Sequence, residues 1–566
     1  MSPYQIENDG LSLTAYAGDG SALLAFDLNE EKTHELAGFA IKAKTPDKGP
    51  YPTNEYWLKN RLNFEEGITN LVKLTPDKRV ESDKAPFQSF HWIHFPGAGP
   101  GGYTYTVYPC YFESGDSLTM GPAASAHVDL TYRSLPDMEL GFTRGVISSQ
   151  AYTDRFANAD IEPTAKSIDF DTTPYQPQYE WLGAHARQMT FDFLNESQDD
   201  PSISVDVFSY DLDEPDIIRK IAALGSRARV IQDDSSSHTK KGSLEPDAVE
   251  ALRKAGVAVK TGHFRQLAHD KILIQKKSGT AVKVLTGSMN FSIRGAYVQA
   301  NSVVVFDTPQ IASLYEQAFE QAFNDMGDFS SASIAAQWFD VTTADASTIS
   351  LSFAPHKQGF TLDTVAQAIE SAKSSVLFAV MQIGRSGGPV VPALENLGAR
   401  DDLFSLGTVD TKSDLKLFKQ GKSHGVTSKD WLRENAPRPF KPESSGFFGH
   451  VIHHKFVVCD FNGHDPVVFC GSSNLAEGGE TNNGDNLIAI HDPAIVYSYA
   501  VEAIRLYDHY RFRSLHESST SNAPLVLDAS DSWVKPYYDP NDIKFHERKL
   551  FSMAGQGSTP AATKPP

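Results

Sequence analysis

Alternating apolar and polar positions run through the first 150 residues and predict short β-strands. Residues 11–16 and 22–26 are two such runs around a Gly-Asp-Gly turn, which favours an antiparallel pair. Residues 90–95 and 103–108 flank a loop rich in Gly and Pro and predict a second hairpin. Because short strands separated by turns are typical of sandwiches, we predict a small β-sandwich-like accessory domain over residues 1–150.

After about residue 175 the pattern becomes an alternation of strand-like and helix-like segments. Such an alternation predicts βαβ units around a parallel or mixed sheet, and therefore an α/β fold class. The first stretch contains helix 180–194, strand 203–208, helix 216–224 and strand 228–231. The order recurs later, where residues 361–372 form a helix with one apolar face and residues 376–380 form the next strand. The apolar face consists of Leu362, Val365, Ala366 and Ile369.

An internal repeat is clearest around two histidines. Residues 269–274 (HDKILI) correspond to residues 453–458 (HHKFVV). Residues 287–290 (GSMN) correspond to residues 471–474 (GSSN), again at an offset of 184 residues. Chance does not readily maintain one offset over several features, so the chain contains two copies of one unit.

Further along, Asn301 and Asn486 precede similar apolar strands and extend the repeat at an offset of 185 residues. We therefore predict two pseudo-symmetric α/β halves, at residues 175–330 and 345–515. The C-terminal extension, residues 516–566, is rich in Ser, Thr, Asp and Pro, and we expect its end to be disordered.

The repeated residue types point to phosphate chemistry. On a strand, the His and the Lys of His-x-Lys share one face, and the Gly-Ser-x-Asn segment ends the following strand nearby. Two lysines and several neutral donors suit a phosphate, and two histidines suit a nucleophile and a general acid, without a metal or cofactor. If the halves pack about a pseudo-twofold axis, one pocket receives His269, Lys271, Asn290, His453, Lys455 and Asn474.

The two copies resemble the phospholipase D superfamily, whose signature is His-x-Lys-x4-Asp followed by Gly-Ser-x-Asn. The second copy matches completely and includes Asp460, whereas Lys276 stands at the corresponding position of the first copy. The resemblance implies catalytic roles for the residues of the predicted pocket and for Asp460. It also implies a covalent phosphohistidine, attacked afterwards by water or by a short alcohol.

The motif alone does not identify the nucleophile. We favour His269, because Asp460 supports only the second half, where His453 would act as acid and base. Asn301 and Asn486 either bridge to the histidines or cap loops. We expect substrate contacts from Ser288, Ser472, Asn301, Asn486, Phe447 and Phe448.

Three neighbouring features have simpler interpretations. His454 alternates with the motif residues along the strand, so we expect a structural role for it. The glycine-rich residues 477–484 lack the Lys-Ser/Thr ending of a P-loop and are interpreted as a loop at the rim of the site. Cys459 and Cys470 flank apolar strand residues and are expected to be buried core thiols.

The net charge and its distribution bear on whether the phosphodiester substrate is a lipid or a nucleic acid. The 566-residue chain has a net charge of −20, which disfavours non-specific nucleic-acid binding over its whole surface. Basic residues cluster locally, with a net charge of +7 over residues 251–283 and +5 over residues 411–442. The aromatic residues around Phe447 and Phe448 are interpreted first as packing on the core, second as contacting a lipid interface or acyl chains, and third, because the chain is acidic, as stacking on bases.

Three functions follow in order of preference. The first is a metal-independent phospholipase D that acts on glycerophospholipids, with transient membrane contact and, in principle, as a monomer. The second is a nuclease or another phosphodiesterase of the same superfamily. The third is a non-catalytic protein that binds a phosphate ligand, which only Lys276 favours.

The remaining composition bears on location. No run of 18 apolar residues predicts a transmembrane helix, and the first residues lack a basic segment followed by an apolar one. The three cysteines, Cys110, Cys459 and Cys470, are too few for a disulfide scaffold. We therefore expect a cytoplasmic protein.

Overall fold

The computed structural model describes residues 3–45, 54–64, 79–97, 99–114, 117–132, 134–145, 149–344, 346–381, 387–410, 424–428, 451–517 and 525–553. Within them lie an N-terminal pair of sheets, two α/β halves and a C-terminal helical segment.

The N-terminal strands form two sheets that pack against each other. One sheet has the order β1-β2-β3-β8, and the other has the order β10-β9-β4-β5 with β11 also on β9. Side chains such as Leu13, Phe26, Phe39 and Tyr105 fill the space between them, because alternate positions of each strand face inward. The predicted β-sandwich-like domain is therefore present. Its strands are β1 (Tyr4–Asn8), β2 (Leu11–Ala17), β3 (Ala22–Leu28), β4 (Leu36–Lys44), β5 (Glu55–Trp57), β6 (Lys59–Asn60), β7 (Val80–Glu81), β8 (His91–His94), β9 (Gly102–Phe112), β10 (Leu118–Met120) and β11 (Ala124–Asp129).

The predicted pairing of β2 with β3 is confirmed, whereas the second predicted hairpin is wrong. Strand β8 pairs with β3, and β9 pairs with β4, so the two aromatic runs lie in different sheets. The Gly- and Pro-rich loop between them crosses from one sheet to the other, and a crossing loop has the same composition as a hairpin loop.

The first α/β half contains a mixed sheet with the order β12-β13-β20-β19-β18-β14-β15-β16. The predicted alternation of helix and strand between residues 180 and 231 is confirmed. The strands are β12 (Ser134–Leu135), β13 (Met138–Phe142), β14 (Ile203–Ser209), β15 (Ala228–Gln232), β16 (Ala258–Thr261), β17 (Leu267–Ala268), β18 (Ile272–Lys277), β19 (Thr280–Gly287) and β20 (Ser302–Phe306). The helices are α1 (Ser149–Phe156), α2 (Gln176–Asp199), α3 (Pro215–Leu224), α4 (Ser236–Thr239), α5 (Glu245–Lys254), α6 (Ile293–Tyr297) and α7 (Pro309–Asn324).

The second half repeats this sheet strand for strand, in the order β21-β22-β28-β27-β26-β23-β24-β25. Its strands are β21 (Phe339–Thr342), β22 (Thr348–Ala354), β23 (Ser375–Val380), β24 (Phe404–Val409), β25 (His424–Ser428), β26 (Lys455–Cys459), β27 (Val467–Gly471) and β28 (Asn483–Ile490). Its helices are α8 (Thr361–Ser371), α9 (Val390–Asn396), α10 (Glu477–Asn482) and α11 (Pro493–Glu517). The predicted apolar face of α8 is buried, and the prediction of two pseudo-symmetric α/β halves is confirmed.

The boundary predicted at residue 150 differs from the observed one. Strand β13 pairs with β20 along Met138–Phe142 and therefore belongs to the sheet of the first half. Its counterpart in the second half is β22, which pairs with β28 in the same way. The first half thus begins near residue 134, because the hairpin of β12 and β13, which precedes α1, completes one side of its sheet.

The C-terminal segment is more ordered than its composition suggests. Helices α12 (Lys535–Tyr538) and α13 (Ile543–Ser552) pack on the N-terminal sheets, where Val534 and Tyr537 join the core. The Trp533 indole donates to the Leu36 carbonyl at 2.8 Å. Residues 554–566, for which we predict disorder, lie outside the described residues. In the described part of the chain, every helix is too short or too polar to cross a membrane.

The glycine-rich residues 477–484 are not a loop. They form α10 and the start of β28, and the Glu480 carboxylate accepts hydrogen bonds from the amides of Phe360 and Thr361 at 2.9 and 2.6 Å. Glu480 thereby satisfies two backbone amides at the start of α8, which gives this segment a structural role against that helix.

Two buried histidines join the N-terminal sheets to the α/β halves. His91 of β8 contacts Asp508 of α11 at 2.7 Å and Glu547 of α13 at 2.8 Å. His185 of α2 contacts Asp19 at 2.8 Å and Glu139 at 2.9 Å. Burial alone would lower the pKa of His91, but its two carboxylates outweigh burial and raise the pKa to about 10. The docking of the N-terminal sheets therefore depends on charged histidine.

We predict that His91→Gln lowers the free energy of unfolding by about 3 kcal/mol at neutral pH, because it removes the cation that lies between the buried Glu547 carboxylate and the partly exposed Asp508 carboxylate. The folded-state pKa lies above the usual 6.5, so this stabilisation is complete below about pH 6.5 and is lost as the pH rises through about 10. Urea unfolding of both proteins at several pH values measures the difference. A deficit that stays constant through that range would contradict the prediction.

Candidate active site

The halves exchange short backbone pairings, and these position both histidines. Strand β17 runs beside β28, and the His269 amide donates to the Gly484 carbonyl at 2.9 Å. In the mirrored arrangement, the His453 amide donates to the Ala300 carbonyl at 3.1 Å. Each histidine therefore follows a segment that is anchored on the opposite half.

The side chain of His269 is held by an aspartate of the second half. Nδ1 of His269 lies 2.8 Å from Oδ1 of Asp485, which also accepts a hydrogen bond from the Ser472 hydroxyl at 2.9 Å. Among the described residues, the second carboxylate oxygen of Asp485 is buried without a partner. With Nδ1 occupied by the carboxylate, Nε2 is the nitrogen left for chemistry.

The side chain of His453 is held by an asparagine of the first half. Nδ1 of His453 lies 2.8 Å from Oδ1 of Asn301 and 3.0 Å from the Ser288 carbonyl. Both partners are acceptors, so Nδ1 carries a proton. The Ser288 hydroxyl donates to Asn301 at 2.8 Å, just as Ser472 donates to Asp485.

The counterpart of Asn301 is therefore Asp485, at the constant offset of 184 residues, and not Asn486. Asn486 instead donates to the Asp270 carboxylate at 2.8 Å. Because Asn301 and Asn486 are the same residue type, pairing them concealed a shift of one residue between the two copies. The strict offset in the sequence is the signal that identifies Asp485.

The two lysines are buried beside the histidines. Nζ of Lys271 donates to the His269 carbonyl, and Nζ of Lys455 donates to the His453 carbonyl at 2.9 Å. The histidines themselves precede their strands, since β18 begins at Ile272 and β26 begins at Lys455. The expectation that His and Lys project from one strand is wrong. Each lysine instead reaches its histidine because its side chain folds back and donates to the backbone carbonyl of that histidine.

The electrostatics of the buried lysines and histidines favour an anion at this site. Burial lowers the pKa of Lys271 to about 8 and lowers that of Lys455 well below its usual value, and Lys271 lowers it further. Burial, with the two lysine charges, also lowers the pKa of His269. Burial raises the pKa of Asp485 to about 7. A bound phosphate would stabilise both lysine charges.

The two motif asparagines differ in their surroundings. Nδ2 of Asn290 donates to the Asp211 carboxylate at 2.6 Å, and its Oδ1 is buried without a partner among the described residues. Asn474 is less buried than Asn290, and its Oδ1 likewise has no partner there. Both amide oxygens remain available to donors of a substrate or of bound water.

Two aspartates that sequence reasoning missed hold the segments before the histidines. Oδ2 of Asp233 accepts from the Ala268 amide at 2.6 Å. Oδ1 of Asp410 accepts from the amides of Val451 and Ile452 at 3.1 and 3.2 Å. Each aspartate directly follows a buried parallel strand, β15 or β24. In both copies an aspartate directly follows this strand, and that shared position is the signal from which the pair could have been found in the sequence.

Asp460 and Lys276 lie at the far ends of their strands. Oδ1 of Asp460 accepts from the amides of Ser374 and Ser375 at 2.6 and 3.1 Å, which ties β26 to the start of β23. Lys276 forms an ion pair with Asp206 at 2.8 Å. The geometry therefore gives Asp460 a structural role in place of the catalytic one expected, and Lys276 leaves the reacting groups unchanged.

The remaining predictions concern His454, the two phenylalanines, the basic segment and the cysteines. Nε2 of His454 contacts Glu502 at 2.9 Å in the core of the second half. Phe447 and Phe448 lie outside the described residues, as does most of the basic segment 411–442. All three cysteines are buried and free.

One group of potential metal ligands lies near the site. Ligand atoms of Asp211, His238 and Glu245 fall within 4.8 Å of one another. Both ring nitrogens of His238 already contact carboxylates, which requires the protonated ring, and a protonated imidazole does not bind a metal. We therefore assign no metal to this group.

Sequence comparison identifies the repeated unit. A family profile described as "Cardiolipin synthase, PLD-like domain" matches residues 191–323 and 365–507, one match in each half. Mitochondrial cardiolipin hydrolase of Xenopus tropicalis is 28% identical over 127 residues, which is 22% of this chain and 55% of that protein. The chain thus spans about half the length of this curated relative.

Solved structures with similar regions are more distant. Phosphatidylserine synthase of Haemophilus influenzae Rd KW20 is 10% identical, over 65% of this chain and 91% of that one, with a TM-score of 0.38. Polyphosphate kinase of Porphyromonas gingivalis is 13% identical, over 62% and 52%, with a TM-score of 0.38. A phospholipase D family member of Salmonella typhimurium, Nuc, is 22% identical, over 24% and 86%, with a TM-score of 0.21. Because TM-scores this low establish little alone, the family assignment rests on the two profile matches and the repeated motif.

We predict that His269 remains neutral, with the proton on Nδ1, as the pH falls below 6.5, because burial and the lysines hold its pKa below that value. NMR of protein labelled at histidine Cε1 measures this, with His269→Gln to assign the signal. A transition midpoint at or above 6.5 would contradict the electrostatic description of the pocket.

Proposed function

Because the chain belongs to the phospholipase D superfamily, we propose that it hydrolyses a glycerophospholipid to phosphatidic acid and a head-group alcohol. The observation that carries the proposal is the crossed support of the two histidines, His269 by Asp485 and His453 by Asn301. The two supports differ in charge, and this difference gives the histidines different tasks.

His269 is the better nucleophile of the two. When its Nε2 bonds to phosphorus the ring becomes positively charged, and the Asp485 carboxylate stabilises that charge through Nδ1–H. Asn301 is neutral and gives His453 orientation without this stabilisation. His453 is therefore suited to give a proton and take one back.

The reaction has two balanced steps. In the first, Nε2 of His269 attacks phosphorus, the bond from phosphorus to the head-group oxygen breaks, and His453 protonates that oxygen. In the second, His453 removes a proton from water, and the water oxygen attacks phosphorus and releases His269. A short alcohol in place of water gives transphosphatidylation.

The buried lysines supply the charge that the phosphoryl group needs. Lys271 and Lys455 are each about 1% exposed, so their attraction to an anion is weakly screened. Since both reactive histidines lie in one chain, a single copy contains a complete site. These residues perform the proposed steps without assistance from a metal.

A phospholipid substrate is favoured over nucleic acid by two features. The family description names cardiolipin synthase, and the matched Xenopus tropicalis protein is named a cardiolipin hydrolase. The net charge of −20 opposes the long-range attraction that nucleic-acid binding requires. We propose that the protein contacts the membrane surface only transiently and acts in the cytoplasm.

We predict phosphatidic acid and phosphatidylethanol when the protein is incubated with ethanol, excess chelator and vesicles of phosphatidylcholine, phosphatidylethanolamine, phosphatidylglycerol and cardiolipin. His269→Ala and His453→Ala should each lower the rate at least about a thousandfold, because each removes a reacting group. Mass spectrometry of the lipids measures both products.

His546→Ala, at a partly exposed histidine that contacts the Pro540 carbonyl at 3.0 Å, serves as the control and should retain the wild-type rate. Cleavage of DNA or RNA without any lipid product would replace the lipid substrate by a nucleic acid. Absence of all phosphodiester cleavage would favour a binding protein.

A further inference from the structure

A third buried histidine lies next to the site without belonging to either motif. His238 of α4 is 4% exposed, and its two ring nitrogens face different carboxylates. Nδ1 lies 2.7 Å from Asp233, and Nε2 lies 2.8 Å from Asp211, with Glu245 at 3.9 Å. Only the protonated ring can donate to both partners, so His238 is a cation here.

Asp233 and Asp211 each hold a different segment of the proposed site. Asp233 uses its other oxygen to accept from the Ala268 amide at 2.6 Å, one residue before His269. Asp211 uses its other oxygen to accept from Asn290 at 2.6 Å. His238 therefore connects the His-x-Lys segment to the Gly-Ser-x-Asn segment of the first half.

A third connection runs through an aromatic ring. The rings of His238 and Tyr210 meet edge to face with centroids 4.5 Å apart. The same Tyr210 ring meets His269 edge to face at 4.8 Å, and Nζ of Lys271 lies 5.0 Å from its centroid. Displacement of His238 would thus remove the support on one side of the Tyr210 ring, which packs against the nucleophile.

The surrounding charges keep His238 protonated. Burial alone would lower its pKa, but hydrogen bonds and charges from Asp211, Asp233 and Glu245 outweigh burial and raise the pKa to about 10. Burial opposes the ionised form of Asp211 as well, yet His238, Lys271 and Arg294 hold its pKa below the usual value. At neutral pH, therefore, the His238 ring and the Asp211 carboxylate are both charged.

We propose that His238 is a positioning residue for the nucleophile, a proposal that rests on the function proposed above. It clamps the segments that carry His269 and Asn290 through Asp233, Asp211 and Tyr210, and it does not itself contact the phosphate. An error of about 1 Å in the placement of a reacting group costs on the order of a hundredfold in rate.

The chain offers a matched control for this role. His185 is also buried and also bridges two carboxylates, Asp19 and Glu139, but it lies at the junction with the N-terminal sheets. His185→Gln and His238→Gln therefore remove the same kind of interaction. A merely structural role predicts the same result for both variants.

The experiment measures kcat, KM and Tm for both variants, with the vesicles described above and with bis(4-nitrophenyl) phosphate as a soluble phosphodiester. We expect both variants to lower Tm, and only His238→Gln to lower kcat, by about 10- to 100-fold with KM within about twofold. Asp211→Ala, at a partly exposed position, breaks the same bridge and should give the same loss if His238→Gln does not fold.

Equal kcat values for His238→Gln, His185→Gln and wild type would overturn the proposal, as would equal losses in both histidine variants. In both of these outcomes the wild-type protein is still active, so the proposed function stands while the role of His238 is rejected. A wild-type protein that cleaves neither substrate would instead overturn the proposed function and this proposal together.

Discussion

Each motif histidine contacts a partner through its Nδ1 nitrogen, and in this protein that partner comes from the other half of the chain. Asp485 serves His269, and Asn301 serves His453. The site therefore exists only when both halves are docked in one register. The backbone exchange between β17 and β28 fixes that register within one residue, since the His269 amide binds the residue directly before Asp485.

The docking has an electrostatic cost that the rest of the fold offsets. The pocket buries Lys271, Lys455, Asp270 and Asp485, and isolated burial would be unfavourable for each charge. Hydrogen bonds to Ser472 and Asn486 and the opposing charges of the neighbours reduce that cost. The N-terminal sheets add ion pairs through His91, which contacts α11 of the second half and the C-terminal α13, and through His185 of the first half.

Sequence patterns predicted the features that are local or repeated. The two halves, the buried face of α8 and the motif residues follow from periodicity and from a constant offset. The partner of His269 was missed because an asparagine one residue later looked more like Asn301, and only a strict offset separates them. His238, Asp211 and Asp233 were missed because folding, rather than spacing along the chain, brings them to the site. The place of β13 in the sheet of the first half was missed because a single short strand carries no sign of which sheet it joins.

In the proposed mechanism, the charge of the crossed partner decides which histidine becomes phosphorylated. The most direct measurement exchanges the partners, with Asp485→Asn and Asn301→Asp in one protein, and locates the phosphorylated histidine by mass spectrometry after rapid quenching. We expect an adduct on His269 in the wild type and on His453 in the exchanged protein. An adduct that stays on His269 after the exchange would contradict this mechanism.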